Sequence, residues 1–386
     1  DRDRGDLDGA LRRDRSEETA GTMNVTDRAD RIIGSLIGGA VGDALGYEIE
    51  FWDEDQIFRH YGDEGIRSYE CDPASGKALI SDDTQMTLFT AEGILNAAGP
   101  EGAREGIALA YLDWLKTQED GIGPIEADTD PAGRDGLLSV SELYALRAPG
   151  NTCLSALRGR REQLQQNGEL PKDFLQDRLN HSKGCGGVMR IAPVALAFSP
   201  DRFPGGIREI DLEGAQAAAV THGAPLGWLP AAAVTHIINR IVYPEREMTL
   251  TEIVLEAGET CMEIFRGEAP ADDLRYLNEL LVQAADLAEN DRTDLENIHA
   301  LGEGWVGEEA MAVGVYCALR YQNDLAAGIR AAVNHCGDSD STGAVCGNIL
   351  GAWIGDRAVG REWKDDLEPE PLIREIGGRL AGYSEK

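Results

Sequence analysis

Apolar residues recur at intervals of three and four along most of this chain, the spacing that places them on one face of an α-helix. We find no block of alternating apolar and polar residues that would indicate a β-sheet, and no repeat of fixed period. The pattern therefore predicts an all-α protein, a compact single-domain orthogonal bundle of roughly a dozen or more helices. The predicted helices cover residues 27–46, 80–96, 103–116, 138–147, 152–166, 172–180, 190–198, 211–222, 226–241, 249–265, 272–288, 308–321, 323–334, 342–355 and 370–382.

Glycine interrupts two of these helices at every fourth position. The two rows are Gly34, Gly38, Gly42 and Gly46, and Gly343, Gly347, Gly351 and Gly355. An internal glycine costs a helix about 1 kcal/mol relative to alanine, so these rows need a compensating gain. A helix side without Cβ atoms lets another backbone approach closely, and we predict that the two helices lie deep in the core against each other. That contact would bring Asp43 and Glu50 towards the start of the second helix.

The second glycine-rich helix begins with two carboxylates, Asp338 and Asp340, each followed by a serine. In extended backbone both carboxylates can face one point, and carboxylate and hydroxyl oxygens together favour Mg²⁺, Mn²⁺ or Ca²⁺. Helix capping is the simpler alternative. A D-x-D-x-T phosphotransfer loop is a weaker one, because the residues before it are predicted to be helical. An EF-hand is excluded, since the twelfth position from Asp338 is Ile349 and not glutamate.

A similar cluster, Ser81-Asp82-Asp83-Thr84, lies at the start of the predicted helix 80–96. Adjacent carboxylates at a helix start also gain from the helix dipole, so capping is again the alternative to metal binding.

The glycine-rich segment 181–190 breaks the helical pattern and lacks the spacing of a P-loop or a dinucleotide-binding turn. Consecutive N–H groups in the turn Gly184-Cys185-Gly186-Gly187 could cradle an anion, and a tight turn would explain the glycines equally well. His222 falls at the end of a predicted helix. A single histidine is more often structural than catalytic.

Charge and cysteine content narrow the classes of function. The formal net charge of the 386 residues is −33, which argues against nucleic acid or an anionic membrane as a partner. The two most apolar runs, 32–46 and 343–355, are shorter than the roughly 20 residues that span a bilayer. Seven cysteines without a C-x-x-C pair suit reduced thiols, and we predict a cytoplasmic protein.

Residues 1–22 alternate acidic residues with arginine and contain few large apolar side chains. Such a segment cannot bury enough surface to offset its ordering entropy. We predict a charged, flexible N-terminal extension at 1–22 and a single domain at 23–386.

Taken in chain order, Gly42-Asp43-Ala44-Leu45-Gly46, Ser81–Thr84, Gly184–Met189, Thr221-His222 and Gly337–Ser341 resemble the motifs of the ADP-ribosylglycohydrolase family. The resemblance covers about residues 28–357 and points to members that activate dinitrogenase reductase or hydrolyse ADP-ribosylarginine. It implies an all-α fold with a binuclear Mg²⁺ centre, or Mn²⁺ in its place, between helix N-termini. The implied metal ligands are Ser81, Asp82, Asp83, Asp338, Asp340 and Ser341.

The resemblance also implies the remaining site residues. Glu50 matches a glutamate of a mobile loop beside the metals. Gly184, Cys185, Gly186 and Gly187 match the loop that holds the diphosphate, although Cys185 stands where some relatives carry asparagine. His222 matches a histidine that faces the ligand.

The function implied is removal of ADP-ribose from a modified protein, most often from arginine, by a water that two metals activate. Asp82 or Asp83 would act as the base, and Glu50 would orient the reacting groups or protonate the leaving group. ADP-ribosyl-serine and esters remain open as substrates. The alternative is an immunity protein that neutralises an ADP-ribosyltransferase toxin by direct occlusion through residues 1–22, with or without hydrolysis.

Overall fold

Sixteen α-helices and no β-sheet make up the residues that this computed structural model describes, which are 25–119 and 136–385. The all-α prediction is confirmed. In chain order the helices are α1 (Val25–Tyr47), α2 (Glu54–Tyr61), α3 (Asp82–Leu95), α4 (Ala103–Gln118), α5 (Asn151–Asn167), α6 (Ala192–Ala197), α7 (Gly206–Ala219), α8 (Pro225–Val242), α9 (Leu250–Ile264), α10 (Ala271–Ala288), α11 (Asp294–Leu301), α12 (Gly307–Arg320), α13 (Leu325–Val333), α14 (Ser339–Ile354), α15 (Arg361–Lys364) and α16 (Glu370–Ser384).

The glycine rows of α1 and α14 face each other, and the two helices run antiparallel. A Cβ atom added to Gly38 would lie 2.2 Å from the carbonyl oxygen of Gly347. One added to Gly42 would lie 1.9 Å from the carbonyl oxygen of Gly343. These separations are far below van der Waals contact, so only glycine permits the approach. The predicted contact between the two helices in the core is confirmed.

This antiparallel contact decides where the polar residues meet. The end of α1, with Asp43 and the turn that carries Glu50, lies beside the start of α14, as Gly46 shows: its added Cβ would lie 2.3 Å from the carbonyl oxygen of Ser339. Asp43 in turn accepts a hydrogen bond from the backbone N–H of Ser81, at 3.0 Å, just before α3. Both acidic clusters are therefore anchored to the same end of α1.

Two predicted helices are wrong. Residues 172–180 form turns: the Asp173 carboxylate caps a single turn, and the carbonyls of Leu175 and Asp177, which a longer helix would use, accept from Arg178 and Arg160. Residues 138–147 contain only the 3₁₀ segments Leu137–Ser139 and Ser141–Tyr144. There, the Gln85 amide reaches the carbonyl of Ala145.

Three helices were missing from the prediction: α2, α11 and the four-residue α15. The first two each begin with a capping box, formed by Asp53 with Gln56 in α2 and by Thr293 with Glu296 in α11. Both helices have eight residues, which gives few turns in which a hydrophobic period can show.

Three further predictions concerned the N-terminal extension, membrane-spanning helices and the state of the cysteines. The extension predicted at 1–22 lies outside the described residues, so its boundary stays a prediction. None of the helices within 25–119 and 136–385 combines the length and hydrophobicity that crossing a bilayer requires. All seven cysteines are free thiols.

Candidate active site

Three buried carboxylates from two distant parts of the chain meet at one point. Glu50, in the turn after α1, and Asp338 and Asp340, at the start of α14, each place a carboxylate oxygen within 4.8 Å of the other two. They are between 2% and 7% exposed. The convergence that the glycine rows predicted is therefore present for all three.

The start of α14 serves as a helix cap and as part of this cluster. Asp338 is the N-cap, and its Oδ1 accepts from the backbone N–H of Ser341 at 3.3 Å. The same N–H also reaches Oδ1 of Asp340, at 2.9 Å. The second oxygen of Asp338 points elsewhere and accepts from the Cys185 thiol at 2.7 Å. Helix capping therefore uses only some of the carboxylate oxygens of Asp338 and Asp340.

The start of α3 forms the opposite side of the site. Ser81 caps α3 by accepting from the N–H of Asp83 at 3.2 Å. Asp43 supports this turn from behind, accepting from the backbone N–H groups of Ser81 and Thr84. Burial raises the pKa of Asp43 to about 6 even though four hydrogen bonds oppose that shift. Its role is to hold the helix start in place.

Direct hydrogen bonds fix the carboxylates of α3. The Ser341 hydroxyl donates to Oδ2 of Asp83 at 2.9 Å and so joins α14 to α3. Oδ2 of Asp82 accepts from the backbone N–H of Gly150 at 3.1 Å. Asp83 and Ser341 are 258 residues apart in the sequence, so these bonds bring the two acidic motifs into one site.

A cavity of about 210 Å³ opens between these groups. Its acidic wall consists of Glu50, Asp82, Asp83, Asp338, Asp340 and Ser341. The cavity is also lined by Gly184, Cys185, Gly186 and His222. Of the residues predicted for the site, Ser81 and Gly187 do not line the cavity, and both are buried behind its wall. A larger cleft of about 650 Å³ beside α8 and α9 contains none of the clustered carboxylates, so chemistry and not size identifies the site.

Ionising these buried carboxyl groups together is unfavourable unless a cation balances their charge. Burial, with repulsion from Asp338 next in size, raises the pKa of Glu50 to about 9, and burial raises the pKa of Asp82 to about 8. Burial and neighbouring carboxylates raise the pKa values of Asp83 and Asp340 well above the usual range. Among the described residues that line the cavity, none is lysine or arginine. Oε2 of Glu50 is buried with no hydrogen-bond partner.

The glycine turn and His222 pack against each other in the cavity wall. A Cβ atom on Gly186 would lie 2.8 Å from Cε1 of His222, so glycine is required there. Burial lowers the pKa of His222 to about 3, with the positive charge of Arg190 as the second cause, and the ring is neutral near pH 7. Its Nδ1 pairs with the Thr221 hydroxyl at 2.8 Å. Nε2 therefore remains as the nitrogen on the cavity side.

Part of the turn's hydrogen-bonding capacity is already used. The N–H of Gly184 donates to the Ser182 hydroxyl at 3.3 Å, and the N–H of Cys185 donates to the carbonyl of Trp305 at 3.3 Å. An anion cradle at this turn would therefore depend on the following residues, Gly186 and Gly187.

The cavity also contains residues that were not predicted. Trp305 lines it and stacks on Phe51, with ring centroids 6.1 Å apart and an interplanar angle of 22°. Residues 150–153 and Ala148, which has a left-handed φ of 53°, form another part of the wall. The run Gly302-Glu303-Gly304-Trp305, an aromatic residue in a glycine-rich loop, was the signal that could have indicated Trp305.

Comparison with known proteins identifies the family of this chain. The sequence profile of the ADP-ribosylglycohydrolase family matches residues 24–386. The chain belongs to the ADP-ribosylglycohydrolase family. Relatives include human ADP-ribosylhydrolase ARH3, 24% identical over 88% of this chain and 89% of that protein. Another is the ADP-ribosyl-dinitrogen reductase glycohydrolase of Rhodospirillum rubrum, 23% identical over 89% of this chain and 93% of that protein.

A solved structure of an ADP-ribosylglycohydrolase-related protein complex has the same fold. Its TM-score is 0.62 at 22% identity, and the match covers 93% of this chain and 99% of that one. Family membership supports hydrolysis of ADP-ribose from modified substrates, and members of this family use divalent metals. Toxin neutralisation, the alternative function, finds no support in these comparisons.

Proposed function

We propose that this protein removes ADP-ribose from modified arginine side chains of proteins, with two Mg²⁺ ions, or Mn²⁺ in their place, in the acidic cavity. The observation that carries the proposal is the convergence of two carboxylate–hydroxyl clusters and Glu50 on one buried cavity. A glycosidic bond breaks through an oxocarbenium-like transition state, which is positively charged, and surrounding carboxylates stabilise that charge.

The residues present fit divalent cations. The donor atoms are carboxylate and hydroxyl oxygens, which hard cations prefer, and one buried oxygen of Glu50 has no hydrogen-bond partner among the described residues. The residues that would hold the ions are Ser81, Asp82 and Asp83 on one side, and Asp338, Asp340 and Ser341 on the other. Ser81 has the least support, because its hydroxyl already caps α3. When bound, such ions polarise ribose oxygens and lower the pKa of water in the site.

The carboxylates would divide the proton transfers between them. Glu50 has one oxygen free of protein hydrogen bonds, which leaves it available to give a proton to the departing side chain. Asp82 or Asp83 would take the proton from the attacking water, and each is held in place by a hydrogen bond through its Oδ2. His222, neutral near pH 7, would face the bound ligand together with Gly184, Cys185 and Gly186, while Gly187 would support this turn from behind the cavity wall.

The aromatic pair supports arginine as the modified residue. Phe51 and Trp305 are 71% and 38% exposed, and Phe51 directly follows Glu50. A guanidinium group stacks favourably on an aromatic face, whereas a seryl oxygen gains nothing there. The aromatic pair would therefore hold the departing arginine beside the proton donor.

The test compares two substrates, arginine- and serine-ADP-ribosylated protein, in excess Mg²⁺. The wild-type protein should release ADP-ribose faster from arginine. Trp305→Ala should lower kcat/KM on the arginine substrate by about tenfold, which corresponds to the loss of about 1.4 kcal/mol of stacking. Val282→Ala removes an apolar side chain that is 39% exposed and does not line the cavity, and it should have no effect. Faster release from serine, or an unchanged rate in Trp305→Ala, would contradict the arginine assignment.

A further inference from the structure

A second group of potential metal ligands lies outside the acidic cavity. Glu54, in the first turn of α2, His299, in the last turn of α11, and Cys336, just before α14, place one donor atom each within 4.8 Å of the other two. Three separate chain segments thus bring a carboxylate oxygen, an imidazole nitrogen and a thiol sulfur together.

Local structure holds these residues in place. The capping box of α2 sets the position of Glu54, and the capping box of α11 begins the helix whose last turn carries His299. Oε1 of Glu54 pairs with Nε2 of His299 at 2.5 Å and also accepts from the backbone N–H of Cys336 at 3.4 Å. The Glu54 oxygen is therefore the centre of the group.

We propose that Glu54, His299 and Cys336 form a binding site for a thiophilic divalent cation, with Zn²⁺ as the best match. A mixed set of sulfur, nitrogen and oxygen ligands suits Zn²⁺, whereas Mg²⁺ requires oxygen ligands. The Cys336 thiol loses its proton to solvent when the Zn–S bond forms. The proton that Nε2 of His299 donates to Glu54 also leaves that nitrogen and is replaced, through solvent, by a proton on Nδ1, so that the hydrogen bond gives way to two metal–ligand bonds. Water fills the fourth position of the tetrahedron.

The geometry requires only a small adjustment. Ligand atoms of a tetrahedral Zn²⁺ site lie about 3.4 Å apart, so the imidazole must move about 1 Å away from the Glu54 oxygen. His299 has a side chain that is 50% exposed, and that of Glu54 is 24% exposed. Their exposure leaves room for this movement and a path from solvent.

The Glu54, His299 and Cys336 site lies close in sequence to two carboxylates of the acidic cavity. Glu54 lies four residues after Glu50, and Cys336 lies two residues before Asp338. An ion bound by all three ligands would tie the start of α2 to the loop before α14, next to two of the clustered carboxylates. The proposal does not depend on which linkage the protein hydrolyses, because its test does not use the hydrolytic reaction.

The experiment titrates Co²⁺, a spectroscopic substitute for Zn²⁺, into the full-length protein kept in a large excess of Mg²⁺. A thiolate bound to Co²⁺ gives an intense near-ultraviolet charge-transfer band, which oxygen ligands do not give. We expect this band in the wild-type protein, its disappearance on addition of Zn²⁺, and its loss in Cys336→Ser. His299→Ala should weaken Co²⁺ binding by about tenfold or more, because one of three protein ligands is removed.

Two cysteine controls locate the signal. Cys185→Ser removes the thiol beside Asp338, and Cys71→Ser removes a half-buried thiol that is not part of the group. Both should keep the band. A wild-type protein without the band, a band that persists in Cys336→Ser, or a band that disappears in Cys185→Ser would overturn the proposal. If Cys336→Ser does not fold, the affinity of His299→Ala decides, and an unchanged affinity overturns it as well.

Discussion

Replacing Gly42 with alanine tests whether backbone contact between α1 and α14 holds the acidic site together. The added Cβ would lie 1.9 Å from the carbonyl oxygen of Gly343, about 1.5 Å closer than a normal nonbonded contact. Overpacking costs 1–3 kcal/mol where side chains can move aside, and here the opposing atom is backbone, so about 3 kcal/mol is expected. Improved helix propensity returns about 1 kcal/mol. The net loss of unfolding free energy is about 2 kcal/mol.

Urea denaturation, followed by circular dichroism, should show this loss as a lower midpoint urea concentration for Gly42→Ala than for the wild type. The matched control is Gly378→Ala in α16, where an added Cβ meets nothing within 4 Å. That variant should be as stable as the wild type, or more stable by up to about 1 kcal/mol. Hydrolytic activity should fall in Gly42→Ala and not in Gly378→Ala, because only the former displaces Asp43 from the start of α3. Equal midpoints for the two variants would refute the close backbone contact.

Two further predictions concern the carboxylates. In the cation-free protein the pKa values of Glu50 and Asp82 are raised to about 9 and about 8, so above about pH 4 the folded state holds protons that the unfolded chain has lost. The stability of the folded state therefore falls as the pH rises towards about 9. In EDTA, Tm should be lower at about pH 8 than at about pH 6. Mg²⁺ should raise Tm more at the higher pH, where it replaces the lost protons. The reverse order would contradict the proposed cation site. Ser341→Ala removes the hydroxyl that donates to Asp83 and should weaken Mg²⁺ binding by about tenfold or more, measured by calorimetry, and an unchanged affinity would count against that role.

The features predictable from sequence were those with a regular spacing. Glycine at every fourth residue of two helices predicted a close helix contact, because no other residue type would leave a backbone so exposed. That contact then placed Glu50 beside Asp338 and Asp340. The hydrophobic period likewise identified most of the long helices.

Features that depend on distant contacts could not be predicted in this way. Residues 172–180 have a helical pattern, but the Asp173 carboxylate closes a turn, and the N–H of Phe174 donates to the side chain of Gln216 on α7. The stacking of Phe51 on Trp305 joins residues that no local pattern relates. In contrast, the residues of the capping box before α2 lie close together in the sequence and could have been recognised there. The helix itself has only eight residues, too few for its hydrophobic period to show.

Release of ADP-ribose from an arginine-ADP-ribosylated protein, measured with wild type and Asp340→Ala, tests the central claim most directly. Asp340 is 2% exposed, and the carboxylates of Asp83 and Glu50 are close enough to help raise its pKa, so its removal should disrupt the acidic site. We predict release by the wild type in Mg²⁺, and a loss of about 100-fold or more both in EDTA and in a folded Asp340→Ala protein. Release by Asp340→Ala at the wild-type rate would contradict the account.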